Sequence, residues 1–332
     1  MALLYCLLAV PIVLMILIFL SDCDLKLKLY EWFGTSPKSR FYGRVVWITG
    51  ASSGIGEYLA YELAKCGSKL VLSSRRKEEL ERVKRNCGDI VQPLYPSYNI
   101  DQDILVLPMD VTEFDKHVQY TDTVLNHFHK IDILVNNSGR SQRGMVIDTP
   151  GLDVENAMFK LNTMAVISLT KSVLPHMVKR KSGHIVVTSS VAGKLGAPMS
   201  AVYNATKFAL QGYFDGLRIE VYDSNIDVTM ICPGPILTNI RDNAFTEDVN
   251  VTVKEKEKAA KSSKDNRMDP ARCAYLITVG MANKLDELWI SINPILFFLY
   301  ANQYLPNLFN WLSKRLGVKH IMKMREMADK DK

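Results

Sequence analysis

A doubly wound α/β domain, with a parallel sheet covered by helices on both faces, is the fold class the sequence predicts, on three observations. The apolar run Val45-Val46-Trp47-Ile48 passes directly into the glycine-rich stretch TGASSGIG (residues 49–56) and then into Tyr58, Leu59 and Leu63 at helical spacing. Strand-like and helix-like segments continue to alternate after it. Several strand-like segments end in polar residues, at the edge where such a sheet opens its ligand crevice.

From the N-terminus, residues 2–20 (ALLYCLLAVPIVLMILIFL) carry no charge and are long enough to nearly cross a ~30 Å hydrocarbon core at about 1.5 Å per residue. No basic residue precedes the run and SDC is a poor cleavage site, so residues 1–21 are expected to be an uncleaved transmembrane anchor helix. Residues 22–41 are mixed and polar, a juxtamembrane linker holding the short amphipathic piece LKLKLYEWF. The expected domain follows over residues 42–291. Its strands are VVWITG, KLVLSS, DILVLPMD and DILVNNSG, with helices from about residues 55, 77 and 113. IVQPLYPSY, before the third strand, has the Pro content of a surface insertion.

Glycine tolerates left-handed backbone angles and close approach, and the free N–H groups of a helix start favour an anion, so the turn holding Gly50, Ser52, Ser53, Gly54, Ile55 and Gly56 fits a pyrophosphate. A plain tight turn would also explain three glycines. The end of the second strand discriminates further. An NAD site would place Asp or Glu there for the ribose 2′-hydroxyl, whereas this strand ends in Ser74, Arg75 and Arg76. A guanidinium can chelate a 2′-phosphate, which favours NADP and assigns Arg75 to it; the alternative is a solvated Arg pair opening the next helix. MDV offers Asp110 and Val111 to the adenine end, and VNNSG offers Asn136 and Gly139 to the nicotinamide side, although each could be an ordinary Asx turn.

The next block carries chemistry. GHIVVTSSVAG is a β-branched strand ending in Ser189 and Ser190, and YNATK sets Tyr203 and Lys207 on one helix face. A tyrosine hydroxyl titrates near ~10, and a neighbouring ammonium stabilises its anion. Tyr203 could then exchange a proton with a carbonyl or hydroxyl while Ser190 holds the substrate oxygen. A bare YxxxK also occurs by chance as a surface pair.

Together the glycine turn, NNSG, the serine and YNATK resemble the short-chain dehydrogenase/reductase family over about residues 42–291. The resemblance implies a Rossmann-type sheet. It also implies a catalytic Ser190, Tyr203 and Lys207, with Asn162 in KLNTMAV supporting a proton relay, and a cofactor held also by Tyr203, Lys207, Pro233, Gly234 and Thr238. No metal is implied. Ser138 replaces the family's usual Ala, a small-for-small change. The apolar N-terminus, SRRKEELERVKRNC and ELWISINP are similar to one membrane-anchored group within the family. That similarity implies an endoplasmic-reticulum, single-pass enzyme reducing carbonyls of steroids, retinoids and similar lipophiles with NADPH.

Three further segments bear on the substrate and partners. Residues 235–268 occupy the place of the family's substrate lid, and their start is expected to cover the pocket. Residues 293–312 (NPILFFLYANQYLPNLFNWL), within an apolar and aromatic extension over 292–332, are broken by Pro294, Asn302, Gln303 and Pro306. That rules against a second span and leaves a membrane-resting segment or a subunit interface, such as a homodimer. The end, KHIMKMREMADKDK, reads as soluble.

Composition sets the limits. In 332 residues, 48% hydrophobic and 23% charged content fits a globular chain with a sizeable core. The net charge of +6 is dispersed, and the run from Lys254 to Arg267 is interrupted by Glu255, Glu257 and Asp265, which argues against nucleic-acid binding. The 6 cysteines form no CxxC pair, consistent with free thiols in a reduced compartment. The basic residues flanking the anchor, Lys26, Lys28, Lys38 and Arg40, all follow it, which places the catalytic domain in the cytosol. Of the sequons at Asn136, Asn204 and Asn250, two lie inside the motifs, where a glycan would block the site. The function expected is an NADP(H)-dependent carbonyl reductase or alcohol dehydrogenase; a catalytically idle, cofactor-bound membrane scaffold is the alternative.

Overall fold

The computed structural model describes residues 18–256 and 267–317. Among them no helix is long and apolar enough to cross a membrane. Of the expected anchor, residues 1–21, only 18–21 are among the described residues, and Ile18, Phe19 and Leu20 of these are helical.

Seven parallel strands form one sheet in the order β3-β2-β1-β4-β5-β6-β7: β1 Val45–Thr49, β2 Lys69–Ser74, β3 Ile104–Pro108, β4 Ile133–Asn136, β5 Gly183–Thr188, β6 Ile226–Pro233 and β7 Glu287–Ile290. The order reverses between β1 and β4, and a crevice opens there beyond the strands' carboxyl ends. In chain order the longer helices are α1 Leu25–Phe33, α2 Gly54–Lys65, α3 Lys77–Val91, α4 His117–Phe128, α5 Asp153–Phe159, α6 Ala165–Arg180, α7 Ala201–Glu220, α8 Pro270–Ala282, α9 Ile295–Tyr304 and α10, residues 306–317.

Strand β1 shows why the sheet is sandwiched. Successive side chains of a strand point to opposite faces. Val46 and Ile48 accordingly join a core with Leu59, Leu63, Leu80 and Leu276 of α2, α3 and α8, while Val45 and Trp47 join a second core with Val124, Leu169, Leu210 and Phe214 of α4, α6 and α7. Both faces are dry, so the strand is apolar from Val45 to Ile48 instead of alternating.

Residues 22–41, expected as a linker, are instead fastened to the domain. Cys23 bridges Ile290 on the outer edge of β7, and Asp24 exchanges bonds with the backbone of Trp289, both at 2.8 Å. Leu27 and Phe41 are fully buried in the first core. Arg272 of α8 reaches Asp22 at 2.6 and 3.1 Å and also grips Glu31. The polar composition that looked solvated is spent on this ion cluster. The segment over 92–98 is a surface insertion as expected, exposed at Gln92, Pro93, Leu94, Pro96 and Ser97, and its end is anchored where the buried Tyr98 donates its hydroxyl to the Ser68 carbonyl at 2.7 Å. The five described cysteines are free and buried, and Cys6 lies outside the described residues.

Candidate active site

The crevice is a cleft of about 1310 Å³ that runs from the end of β2 to the C-terminal helices. Gly54 opens α2 in the left-handed region, at φ +60°, and Ser53 makes no side-chain cap, so the first N–H groups of α2 face the cleft without a side-chain partner. Such an uncapped start is an anion seat. Gly50, Ser52, Ser53 and Ile55 line the cleft as expected. Gly56 does not. A Cβ there would lie 2.4 Å from the Gly50 carbonyl oxygen and 2.6 Å from the Asn137 amide nitrogen, so its role is to let α2 press against the turn.

At the β2 end, Arg75 is exposed on the cleft rim, as the spacing predicts. Arg76 also reaches in, donating to the Ser52 and Ser53 hydroxyls at 3.1 and 3.2 Å, so it belongs to the glycine turn as much as to α3. Burial works against a charge on Asp110. The backbone and hydroxyl of Thr112, at 2.9 and 2.8 Å, together with Arg75, nevertheless hold its carboxyl below the usual range. Val111 lines the cleft beside it, its carbonyl 3.0 Å from the His117 ring.

Besides Gly56, two expected site residues sit elsewhere. Asn136 is buried and donates to the Thr170 hydroxyl of α6 at 3.0 Å; it faces the second core, because the last residue of β4 alternates away from the crevice. Its neighbour Asn137 takes the central position. Its amide donates to the Thr49 carbonyl at 3.2 Å, and its carbonyl accepts from the Thr188 hydroxyl at 3.2 Å, joining the ends of β1, β4 and β5. Asn162 is fully buried behind the cleft wall. Its side chain accepts from the Arg140 N–H at 2.9 Å and donates to the Arg140 carbonyl at 2.8 Å and to the Thr206 hydroxyl at 3.2 Å, which leaves it a positioning residue. It lies in a π-helical turn over Lys160–Met164, an irregularity that often marks functional sites and that periodicity cannot reveal.

Ser190, Tyr203 and Lys207 line the same cleft, and so does Gly139, where a Cβ would lie 3.7 Å from the Lys207 Nζ. The Ser190 hydroxyl accepts from the Ala192 N–H at 3.1 Å and donates to the Pro233 carbonyl at 3.3 Å. Lys207 is buried, donates to the Thr188 carbonyl at 2.8 Å and lies 5.7 Å from the centre of the Tyr203 ring. Burial pushes its pKa down to about 8. Pro233, Gly234 and Thr238 also line the cleft, and so do Ile236, Ile240 and Phe245 from the start of the expected lid. Residues 257–266 of the expected lid lie outside the described residues. The far wall comes from a segment whose place the sequence leaves open: Phe297 and Phe298 of α9 and Leu308 and Leu312 of α10.

Comparison with known proteins points to one family. The family model for short chain dehydrogenases matches residues 44–249. The chain is 44% identical to human dehydrogenase/reductase SDR family member 7, over 94% of this chain and 88% of that one. It is 43% identical to the mouse protein of the same name, over 98% and 93%. Among solved structures, a short chain dehydrogenase/reductase from Burkholderia phymatum in complex with NAD superposes with a TM-score of 0.67 at 23% identity, covering 81% of this chain and 96% of that one. An alcohol dehydrogenase from Thermococcus sibiricus complexed with 5-hydroxy-NADP does so at 0.60 and 21%, covering 74% and 95%. With the parallel sheet, the glycine turn and Ser190, Tyr203 and Lys207 lining one cleft, the chain belongs to the short-chain dehydrogenase/reductase family of oxidoreductases.

Proposed function

We propose that the protein is an NADP(H)-dependent carbonyl reductase or alcohol dehydrogenase for lipophilic substrates of the steroid, retinoid or xenobiotic-carbonyl class. It is anchored in the endoplasmic-reticulum membrane with its catalytic domain in the cytosol. One observation carries this function. Ser190, Tyr203 and Lys207 line one cleft together with an uncapped helix start and the apolar residues of α9 and α10. The residues fit a nicotinamide dinucleotide: the start of α2 takes the pyrophosphate, and Arg75 takes a 2′-phosphate at the end of β2, which closes in Ser74, Arg75 and Arg76 instead of an Asp or Glu. When bound, the nicotinamide supplies or accepts the hydride.

The chain's own residues handle the proton. Tyr203 carries a hydroxyl whose proton would pass to the substrate oxygen in the reducing direction. Lys207, with its charge close to the ring, stabilises the tyrosinate left behind. Ser190 can turn its hydroxyl from Pro233 to the substrate oxygen and fix the carbonyl against Tyr203. The N-terminal apolar run and the basic residues after it support the anchor and its facing.

Tyr203→Phe should lower kcat about 10²–10⁴-fold while leaving cofactor affinity within a few-fold. Steady-state turnover on a carbonyl panel and a fluorescence titration of NADPH check this, and turnover within tenfold of wild type would remove Tyr203 as the acid.

The buried ammonium makes a pH prediction. Lys207 has a folded pKa of about 8 against an ordinary 10.5, so folding works against its charge below about pH 8 and the penalty fades as the pH rises toward 10.5. Ligand-free wild type should therefore gain roughly 2–4 kcal/mol of stability relative to Lys207→Met between pH 7 and pH 10.5. Urea denaturation at both pH values measures the difference, and a gap that does not change with pH contradicts the burial penalty.

Ser74→Asp with Arg75→Ala should weaken NADPH and strengthen NADH, each by about 10–100-fold in kcat/KM. A wild-type enzyme that already prefers NADH would overturn the 2′-phosphate assignment.

Facing is read from glycans. Asn136 and Asn204 are buried in the fold and Asn250 is exposed, so Asn250 is the acceptor that a luminal domain would present. Full-length protein expressed in cells should show no mobility change on enzymatic deglycosylation; a shift that Asn250→Gln abolishes would place the domain in the lumen.

A further inference from the structure

The cleft does not end at the catalytic wall. Besides Pro233 and Gly234 it is lined by Phe297 and Phe298 of α9, by Leu305 at the junction with α10 and by Leu308 and Leu312 of α10. Leu305, Leu308 and Leu312 are themselves 56%, 49% and 45% exposed, so the cleft's mouth is an apolar rim open to the outside. Around it the surface is aromatic and amide-rich: Tyr304 and Trp311 are exposed, as are Gln303, Asn307 and Asn310. The Arg315 guanidinium covers the Trp311 ring at 4.4 Å and stands beside the exposed Lys314. Large rings with amides and cations among them suit the boundary between headgroups and acyl chains better than either water or hydrocarbon.

Polar bonds tie this face to the end of the N-terminal apolar run. The Asn293 amide, just before α9, donates to the carbonyls of Ile18 and Phe19 at 2.8 and 2.9 Å. The Leu25 N–H donates to the Tyr300 hydroxyl at 2.9 Å, and the Tyr300 ring stacks on Tyr304. Phe19 and Leu20 are exposed beside Asn293. A chain segment without charge, residues 2–20, therefore joins the domain at the corner where α9 begins, so a bilayer holding that segment lies against the same corner.

We infer that α9 and α10 rest in the headgroup boundary of the bilayer holding the N-terminal run, with the mouth of the cleft opening into lipid so that apolar substrate enters without crossing water. This rests on the reading of residues 2–20 as an anchor and of the substrate as lipophilic. A second copy of the chain seated on α9 and α10 is the competing occupant.

The test uses full-length protein in phosphatidylcholine vesicles, with and without bromine-labelled acyl chains, and compares wild type with Trp311→Phe. Bromolipid should quench the part of the tryptophan emission that Trp311→Phe removes, and acrylamide in the water should not reach it. Quenching of that part by acrylamide and not by bromolipid would overturn the inference in favour of an aqueous face. Protection from both, with crosslinked dimers through α10, would overturn it in favour of a second copy. This arm needs no turnover, so it stands apart from the assigned activity.

A kinetic arm uses Tyr304→Glu with Trp311→Glu, neither of which lines the cleft. KM for a long-chain ketone delivered in vesicles should rise about tenfold, with kcat and the kinetics of a small water-soluble carbonyl unchanged. An unchanged KM for the vesicle-borne ketone would overturn the lipid route. Alkaline carbonate extraction separates the two levels: release of wild type overturns the anchor and this inference together, whereas retention without bromolipid quenching overturns this inference alone.

Discussion

The Lys207 ammonium is out of water with one backbone oxygen, that of Thr188, bonded to it, and the site is organised around keeping it there. Taking an ion out of water costs several kcal/mol even after relaxation, so the burial must be supported by rigid neighbours. Those neighbours form a continuous line. Thr188 binds Asn137, Asn137 binds Thr49, and the Thr49 hydroxyl in turn accepts the N–H groups of Asn137 and Ser138 at 2.9 and 3.1 Å. Three strand ends are thereby locked in register, and the glycine turn is held by the same asparagine that Gly56 packs against. The cradle for a dinucleotide and the support for the ammonium are one structure, so a change at Asn137 or Gly56 acts on both.

Much of this was legible in the sequence because it is local. The run from Val45 to Ile48 followed by TGASSGIG can hardly form anything but a strand, a tight turn and a helix, and the YxxxK spacing sets two side chains on one face in any helix. What was not legible depends on direction or on distance along the chain. Asn136 and Asn137 differ only in which side of β4 they face, and a one-residue step reverses that. The π-turn that carries Asn162 has no composition of its own.

The C-terminal segment shows the long-range case. Its polar interruptions argued against a second span, but they left its place in the fold open. Asn293 ties the N-terminal stub, and Asn302 donates to the Lys194 carbonyl at 2.8 Å, pinning α9 over the loop that follows Ser190. Residues that spoil an apolar pattern in one dimension are the fasteners in three. The same holds at the other end, where Asp22 and Glu31 of the supposed linker close on Arg272.

The bridge from Cys23 to Ile290 has a consequence for where the folding unit begins. Strand β7 ends the sheet, and an open parallel edge offers unpaired N–H and carbonyl groups to any other chain. Here Cys23 and Asp24 lie along that edge at Trp289 and Ile290, and Leu27 closes the core beneath it. The family match starts at residue 44, yet a chain cut there would present a bare edge above an open core. The self-protecting unit starts near Ser21, so the segment next to the apolar run also guards the sheet against pairing with its own copies.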